Sequence, residues 1–407
     1  MAQFAADARV AVATFSCHRD GQNTTIGHLS RGVFLTIPAE GVEILDALAA
    51  GKTVGEAVRL YERAHGETPD AEDFLTALAA QGFVTSWAEE QRHTEDVQES
   101  RPAAGRISPR LARRLFGAPV LGACAGATAL GLALLAVEPG LIPGPSVLVF
   151  RHHLAALSAA LFALNLIAVM VHELAHLLAA RASDVPARIG LSHRLWIVVA
   201  ETDMSGIWMT PRHRRYLAFL AGPLIDAASA ALLIGVLWVN RHGWLGLSPT
   251  LGQFTGAVLW SYLLRLLWQC FVFVRTDFYY VLATALDCKN LLADTEDLLR
   301  NQLARFRTSA KVVDQSAIPR HEMRAIRAYS TVWLGGRAVA LASLVLITLP
   351  VLEGYGVELA RAATGSRSSF STVDLLTLAS LGLVLQGGGL FLWIRSLYRG
   401  RTQRSAK

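Results

Sequence analysis

Three ionisable residues lie inside an apolar segment near the middle of the sequence. His172, Glu173 and His176 interrupt the run "NLIAVMVHELAHLLAARAS", residues 165 to 183. An ionisable side chain near the centre of a membrane-spanning helix costs about 2.5 to 3.5 kcal/mol on insertion scales. Because such residues usually mark a function, the segment predicts a functional site.

The spacing of these residues is that of a zinc protease site. On a helix, His172 and His176 lie one turn apart on the same face, so two imidazole nitrogens can approach one metal ion, while Glu173 is rotated towards the adjoining open position. Zinc needs a third protein ligand and keeps a water in its fourth position, which it acidifies while the glutamate accepts the proton. The alternative is a structural helix whose histidines pair with neighbours and whose glutamate is neutral.

Two aspartates are candidates for the third ligand. Asp277, in "VRTDFYYVLATALDCKNLL", follows the apolar segment 251 to 274 and reaches the depth of the histidines if that helix continues slightly beyond residue 274. Asp226, in "LAGPLIDAASA", lies roughly 15 Å deep in the preceding apolar segment. We favour Asp277 as the ligand and Asp226 as a hydrogen-bond partner or part of the substrate cavity, and the choice stays open at this point.

The composition predicts a membrane protein that positions these residues on helices. Hydrophobic residues make up 53% of the 407, and the net charge is +6. The sequence has no basic run interleaved with aromatic residues, which would indicate nucleic-acid binding. We interpret the positive charge as a signal that orients the apolar segments in the membrane. The apolar segments long enough to span a bilayer are 115 to 137, 154 to 180, 216 to 239, 251 to 274, 338 to 352 and 373 to 394.

The distribution of positive charge orients these six predicted spans. Lys and Arg concentrate in 181 to 215, 275 to 331 and 395 to 407, whereas the intervening loops are poor in them. The positive-inside rule therefore puts the first group in the cytoplasm. We expect a mainly α, polytopic helical protein of the cell (inner or plasma) membrane, with about six spans and with both termini cytoplasmic.

The N-terminal part predicts a small α+β domain over residues 1 to 88. Alternating β-prone runs, "ARVAVATFSC" and "TIGHLSRGVFLTI", precede three helices, and "FVTSW" predicts a closing strand. Gly51 is expected to stop the first helix, Thr53 and Glu56 to form a capping box on the second, and Pro69 to lie in the first turn of the third. The charged stretch 89 to 110 predicts a solvated linker, and 111 to 400 form the transmembrane domain.

A polar segment between the second and third spans predicts a short sheet. "ARIGLSHRLWIVVAETDMSGIWMT" has β-prone runs around "LWIVVA" and "GIWM". A sheet at the membrane edge could hold a substrate in extended form through backbone hydrogen bonds. An ordinary cytoplasmic hairpin is the alternative.

Two resemblances bear on these predictions. The stretches "HELAH", "AGPLID" and "RTDFYYVLATALDCKNLL" resemble the M50, or site-2-protease-like, family of intramembrane zinc metalloproteases, in its branch of putative peptide zinc metalloproteases. This resemblance implies His172, His176 and Asp277 as zinc ligands and Glu173 as general base. The sequence departs from the family pattern at Phe278, where a glycine is usual, at Asp226, where Asn is frequent, and over residues 287 to 290.

The N-terminal stretch "VFLTIPAEGVEILDALAAGKTVGEAVRLY" with "FLTALAAQGFV" resembles the PqqD-type winged-helix domain. That resemblance implies binding of leader segments of ribosomally made peptides, by addition of a strand to a sheet edge. Other small winged-helix domains bind DNA or only pack.

Together these features predict a zinc endopeptidase that removes the leader of a peptide recruited by residues 1 to 88. The alternatives are a non-catalytic membrane scaffold or export partner that binds a modified peptide, and regulated proteolysis of a membrane-anchored regulator. Zinc is the expected cofactor, with a peptide and the lipid bilayer as partners. The sequence predicts no oligomeric state.

Overall fold

The chain divides into two compact units. The structure, a computed structural model, describes residues 4–13, 15–20, 23–28, 33–86, 107–148, 150, 153–194, 197–288, 290–304, 312–315, 318–343, 345–346 and 371–382, with single positions 353, 357, 360, 361, 388, 391 and 395. The first unit takes the described residues of Met1–Ser108 with Ser183–Ala187 and Met204–Arg214. The second takes those of Pro109–Ala182, Arg188–Asp203 and Arg215–Lys407.

The first unit contains two small antiparallel sheets. Its strands are β1 (Val10–Val12), β2 (Ser16–Asp20), β3 (Asn23–His28), β4 (Val33–Pro38) and β5 (Val84–Ser86). The sheet order is β2-β3-β4 in one sheet and β1-β5 in the other, so the predicted closing strand pairs with the first strand of the chain. In the three-stranded sheet, β2 and β4 are the edge strands.

Three helices complete the core of this unit: α1 (Gly41–Ala49), α2 (Val54–His65) and α3 (Ala71–Ala80). The predicted capping box is confirmed, because the Glu56 amide donates to Thr53 Oγ1 and the Thr53 amide donates to Glu56 Oε2. Pro69 does not lie in the first turn of α3 as predicted. Asp70 caps that helix by accepting from the Asp73 amide, so the helix begins after the proline.

The second unit is mainly helical. Its helices are α4 (Pro109–Leu115), α5 (Ala118–Val137), α6 (Leu154–Ala182), α7 (Arg212–Arg241), α8 (Pro249–Gln269), α9 (Asp277–Ala285), α10 (Leu291–Ala304), α11 (Arg320–Ser343) and α12 (Thr372–Gly382). Gly131 on α5 packs directly against Ala231 on α7, where a side chain would collide. Such small-residue contacts let apolar helices approach closely.

Three helical runs in the described residues are long and apolar enough to cross a membrane: Pro109–Val137, Leu154–Ala182 and Arg212–Arg241. They coincide with the first three predicted spans. A run of such length matches the roughly 30 Å hydrocarbon core of a bilayer. These three helical runs are therefore consistent with a membrane protein.

The fourth predicted span, 251 to 274, is not among these three runs, and its predicted end is wrong. The helix α8 stops at Gln269, and the apolar residues that follow form a turn in which Phe273 and Val274 are buried. Phe273 packs against Gly336 of α11, and the Tyr329 hydroxyl of α11 donates to the Val272 carbonyl oxygen over 2.6 Å. Hydropathy cannot separate a buried apolar turn from the last turn of a spanning helix.

The last two predicted spans fall partly outside the described residues. The helix α11 begins at Arg320, well before the predicted start at 338, while residues 347–352 are not described. The helix α12 covers the first half of 373 to 394. Most of the predicted linker 89 to 110 is likewise outside the described part, and Pro109 already begins α4.

The predicted sheet between the second and third spans is present in part. Strands β6 (Arg188–Arg194) and β7 (Ile197–Asp203) form an antiparallel pair, with Arg188 opposite Asp203. The "GIWM" run is not a strand, since Ser205–Met209 form a 3₁₀ helix. Gly206 and Ile207 in that helix are buried, which accounts for the apolar character of the run without strand pairing.

Candidate metal centre

The site is built on the second half of α6. His172, Glu173 and His176 are all buried, with 5%, 7% and 2% of their surface exposed. The helix is 29 residues long and runs past them to Ala182, so the helical spacing does set both imidazoles on one face. Burial of three ionisable groups in an apolar helix requires specific partners.

Three ligand atoms converge on one point. His172 Nε2 and His176 Nε2 lie 3.1 Å apart, and Asp277 Oδ2 lies 3.1 Å from the first and 3.2 Å from the second. Ligand atoms bound about 2.0 to 2.1 Å from a tetrahedral zinc ion are about 3.3 to 3.4 Å from each other. The triangle is thus close to the size that a small metal ion requires, and these residues form a group that could bind one.

Asp277 reaches this point from the turn after α8, not from an extended α8 as predicted. It is the first residue of α9, and the Thr276 side chain caps that helix by accepting from the Tyr279 amide. The Asp277 amide donates to Gln269 Oε1 over 3.1 Å, and the Thr276 hydroxyl donates to the Gln269 carbonyl oxygen. Gln269 therefore closes the turn that presents the carboxylate.

The outer nitrogens of both imidazoles have acceptors. His172 Nδ1 lies 2.8 Å from Asp226 Oδ2, and His176 Nδ1 lies 2.7 Å from the carbonyl oxygen of Ala218. A carbonyl oxygen can only accept, so His176 Nδ1 carries a proton, and in the neutral imidazole Nε2 then keeps its lone pair. Such partners fix the tautomer and the ring orientation of metal-binding histidines.

Asp226 therefore lies behind the ligand triangle. It contacts the nitrogen of His172 that faces away from Asp277. Of the two roles left open for it, the geometry supports the hydrogen-bond partner. Its carboxylate is fully buried, at 0% exposure.

When both neutral imidazoles carry their proton on Nδ1, the two Nε2 atoms and Asp277 Oδ2 are all acceptors, and no hydrogen lies between them. Two imidazole lone pairs and a carboxylate oxygen repel each other at about 3 Å, and a cation at their centre removes that repulsion. The Asp277 carboxylate would complete the donor set around such a cation.

Gly222 of α7 leaves the space in which an ion can sit. A β-carbon at this position would lie 2.5 Å from Nε2 of His172 and 2.5 Å from Nε2 of His176. Any other residue would fill the face of the triangle. The glycine of the "AGP" run is thus required by the close approach of the imidazoles, which the sequence alone does not reveal.

Glu173 is held by the hairpin. The Thr202 hydroxyl of β7 lies 2.7 Å from Glu173 Oε2 and 2.9 Å from the Glu173 carbonyl oxygen, and it can donate to either. The side chain points away from bulk solvent, beside the imidazoles. Thr202 is a residue of the site that sequence reasoning missed, since nothing local links it to α6.

Two further missed residues carry a signal in the sequence. Arg265 Nε lies 2.9 Å from Asp226 Oδ2, and Gln269 supports Asp277. Together with Ser261 they repeat every four residues in an apolar helix, which sets them on one face of α8. Polar residues at four-residue spacing in a predicted span, here Ser261, Arg265 and Gln269, are the sequence signal for such a face.

Phe278 and Asp287, at which the sequence differs from the M50 pattern that it resembles, have backbone conformations that their residue types tolerate. Phe278 has ordinary helical conformation in the first turn of α9, so a glycine is not needed there for its backbone freedom. Asp287 adopts a left-handed conformation with φ of 56°, which Asp tolerates better than most residues. Cys288 beside it is buried, and burial raises the pKa of its thiol to about 12.

Searches against protein-family models, curated proteins and solved structures found no match to this chain. The site geometry is therefore the ground on which function is argued.

Proposed function

We propose that the protein is a zinc-dependent intramembrane endopeptidase of the site-2-protease-like type. The observation that carries this proposal is the triangle of His172 Nε2, His176 Nε2 and Asp277 Oδ2, with sides of 3.1 to 3.2 Å, next to Glu173 on a membrane-length helix. Two imidazoles and one carboxylate are a frequent donor set of catalytic zinc, which keeps a further position open. Carboxylate oxygens alone would favour magnesium or calcium.

The residues around the triangle have separate roles in this proposal. Zinc, when bound, supplies a Lewis acid that polarises the scissile carbonyl and acidifies water. Glu173 accepts the proton of the attacking water on a carboxylate oxygen and delivers it to the leaving amine nitrogen. Thr202, by donating to Oε2, orients the carboxylate and leaves Oε1 free for the proton. Asp226 and Ala218 keep both imidazoles in the tautomer that offers Nε2.

The depth of the site suggests where the substrate is cut. Only residues 177 to 182 separate His176 from the end of α6, about 9 Å at 1.5 Å per residue. We assign that end to the cytoplasmic face, in a chain of six spans with both termini cytoplasmic. Reporter enzymes fused to the two termini test this topology: both should report a cytoplasmic location, and a periplasmic or extracellular signal from either would refute it.

The first unit would recruit the substrate. We interpret its two sheets and three helices as a winged-helix domain of PqqD type, with the edge strand β4 and helix α1 receiving an extended leader peptide. The β6-β7 pair, which carries Thr202, would then extend the peptide towards Glu173. A photo-crosslinking residue in place of Thr36 on β4 should capture the same peptide that is cleaved. Capture only by residues of the second unit would remove this role.

Proteolysis is tested by comparing the peptides in membranes that contain the parent or Glu173→Gln. The parent should generate fragments that the variant lacks, because loss of a general base slows hydrolysis by about 10²- to 10⁴-fold. Glu138→Gln, the same chemical change at the end of α5, is the matched control and should cleave like the parent. Identical fragments from parent and Glu173→Gln, with zinc bound in both, would favour a non-catalytic scaffold.

A further inference from the structure

A partly buried arginine contacts the carboxylate that lies behind His172 in the candidate metal centre. Arg265 lies on α8, and its side chain is 14% exposed. Its Nε is 2.9 Å from Asp226 Oδ2, and its guanidinium lies over the Tyr262 ring at 4.5 Å from the ring centre. An arginine in an apolar helix is costly unless it is paired, and the contact with Asp226 offsets that cost.

The same carboxylate oxygen connects Arg265 to the site. Asp226 Oδ2 is also 2.8 Å from His172 Nδ1, and His172 Nε2 is a corner of the ligand triangle. Within the described part of the chain, Asp226 Oδ1 has no hydrogen-bond partner, and neither do Arg265 Nε and Nη2, so the 2.9 Å contact between Arg265 and Asp226 is an ion pair without hydrogen-bond geometry. The buried carboxylate therefore depends on the contacts of a single oxygen, with Arg265 on one side and His172 on the other.

Arg265 contributes positive charge to the balance of the site. Asp226, Asp277 and Glu173 bring three negative charges into a buried region, and a divalent ion brings two positive charges. Arg265 brings the third. Because net charge is expensive to bury, the loaded site without Arg265 would carry an uncompensated carboxylate.

We propose that Arg265 is a positioning residue of the metal centre, which acts through Asp226 to fix the His172 ring and thereby sets the affinity for the metal. This inference rests on the proposed metal-binding function. Arg265 does not touch the ligand triangle, and its effect is transmitted by the shared oxygen of Asp226.

The rest of α8 supports a positioning role for this helix. One turn before Arg265, the Ser261 hydroxyl oxygen accepts from Asn165 Nδ2 of α6 over 3.1 Å. One turn after it, Gln269 accepts from the Asp277 amide. Ser261, Arg265 and Gln269 thus contact, in order, the helix that carries the histidines, the Asp226 carboxylate and Asp277.

The test is a double-mutant cycle on zinc affinity in the purified full-length protein. Affinity is measured by competition with a chromophoric chelator for the parent, Arg265→Gln, Asp226→Asn and the double variant. Removal of a group that hydrogen-bonds or positions a metal ligand costs about 10- to 100-fold in metal affinity, and we expect each single variant to lose that much. The double variant leaves two neutral amides, so it should bind at least 10-fold more tightly than the product of the two single losses predicts.

Two controls separate positioning from general damage. Arg265→Lys keeps the charge and should recover most of the affinity, and it also carries the test if Arg265→Gln does not fold. Arg241→Gln removes an arginine from a remote pair with Glu138 and should bind zinc like the parent. With cobalt in place of zinc, the visible absorption spectrum should change in Arg265→Gln and remain parental in Arg241→Gln.

The outcomes distinguish this inference from the proposed function. A parent protein that binds no zinc overturns both. A parent that binds zinc, together with Arg265→Gln of equal affinity and unchanged cobalt spectrum, overturns the positioning role alone. Additive losses in the cycle, or an Arg265→Lys variant as weak as Arg265→Gln, also overturn it.

Discussion

Gly222 on α7 lies against the imidazole of His172 on α6, so closely that a β-carbon on Gly222 would be 2.5 Å from His172 Nε2. The same β-carbon would be 2.5 Å from His176 Nε2. The two helices thus meet at a glycine of α7, which places no side chain between the imidazoles. The contact explains why a metal can have access to both histidines.

Gly222→Ala should therefore abolish or greatly weaken metal binding, by about 100-fold or more. The methyl group would occupy the position of an ion or force the imidazoles apart. Gly235→Ala on the same helix is the matched control, because nothing lies within 4 Å of the added β-carbon there. Isothermal titration with zinc should find parental affinity in the control. Equal zinc affinity in Gly222→Ala would show that the ion does not sit in the triangle.

Thr202→Val should lower the rate of cleavage without changing the zinc content. Valine keeps the shape of the side chain and removes the hydroxyl that donates to Glu173. A hydrogen bond to a charged group contributes about 1.5 to 3 kcal/mol, which corresponds to roughly 10- to 100-fold in kcat/KM. Thr202→Ser retains the donor and should cleave nearly as fast as the parent. Loss of zinc from Thr202→Val would indicate a structural role for the hairpin instead.

Gly336→Ala should weaken zinc binding, although it lies on α11 and far along the sequence from the ligands. A β-carbon at Gly336 would lie 2.1 Å from the Phe273 ring, in the turn that presents Asp277. Overpacking of this kind costs about 1 to 3 kcal/mol and displaces the neighbouring backbone. At Gly335 the added β-carbon meets nothing within 4 Å, so Gly335→Ala should bind zinc like the parent. Equal affinities for the two variants would mean that the turn does not control Asp277.

Asp294 on α10 should make stability depend on pH. Burial, and then the neighbouring Asp297, raise the pKa of the Asp294 carboxyl to about 6. In the unfolded chain the pKa is about 4, so stability is highest below pH 4, falls between pH 4 and 6 and remains lower above. Asp294→Asn should unfold at a higher temperature than the parent at pH 8, by on the order of 2 °C, and this difference should shrink towards pH 4. A difference that is the same at both pH values would assign the effect to another cause.

The local part of the site could be predicted from the sequence. The histidine pair and Glu173 follow from helical spacing. Asp277 is favoured because it follows an apolar segment at a depth that matches the histidines. The structure brings Asp277 to the histidines by another route, since α8 ends at Gln269 and a buried turn replaces the expected extra helix. Depth along the membrane constrained the choice even though the helix boundary was wrong.

The tertiary part could not be predicted. Gly222, Thr202 and Arg265 matter because of which elements pack against α6, and helix spacing alone does not specify that packing. Hydropathy also failed to distinguish the buried turn around Phe273 from a spanning helix. The four-residue repeat of polar residues in α8 is the signal that would have identified Arg265 and Gln269.

The most direct test of the metal centre is the zinc content of the purified chain, measured for the parent, His172→Ala, Asp277→Ala and Asp226→Ala at zinc concentrations that saturate the parent. We expect about one zinc ion per parent chain, loss of the ion in His172→Ala and Asp277→Ala, and its retention, with lower affinity, in Asp226→Ala. A parent without zinc, or an Asp277→Ala variant that binds as well as the parent, would contradict the assignment.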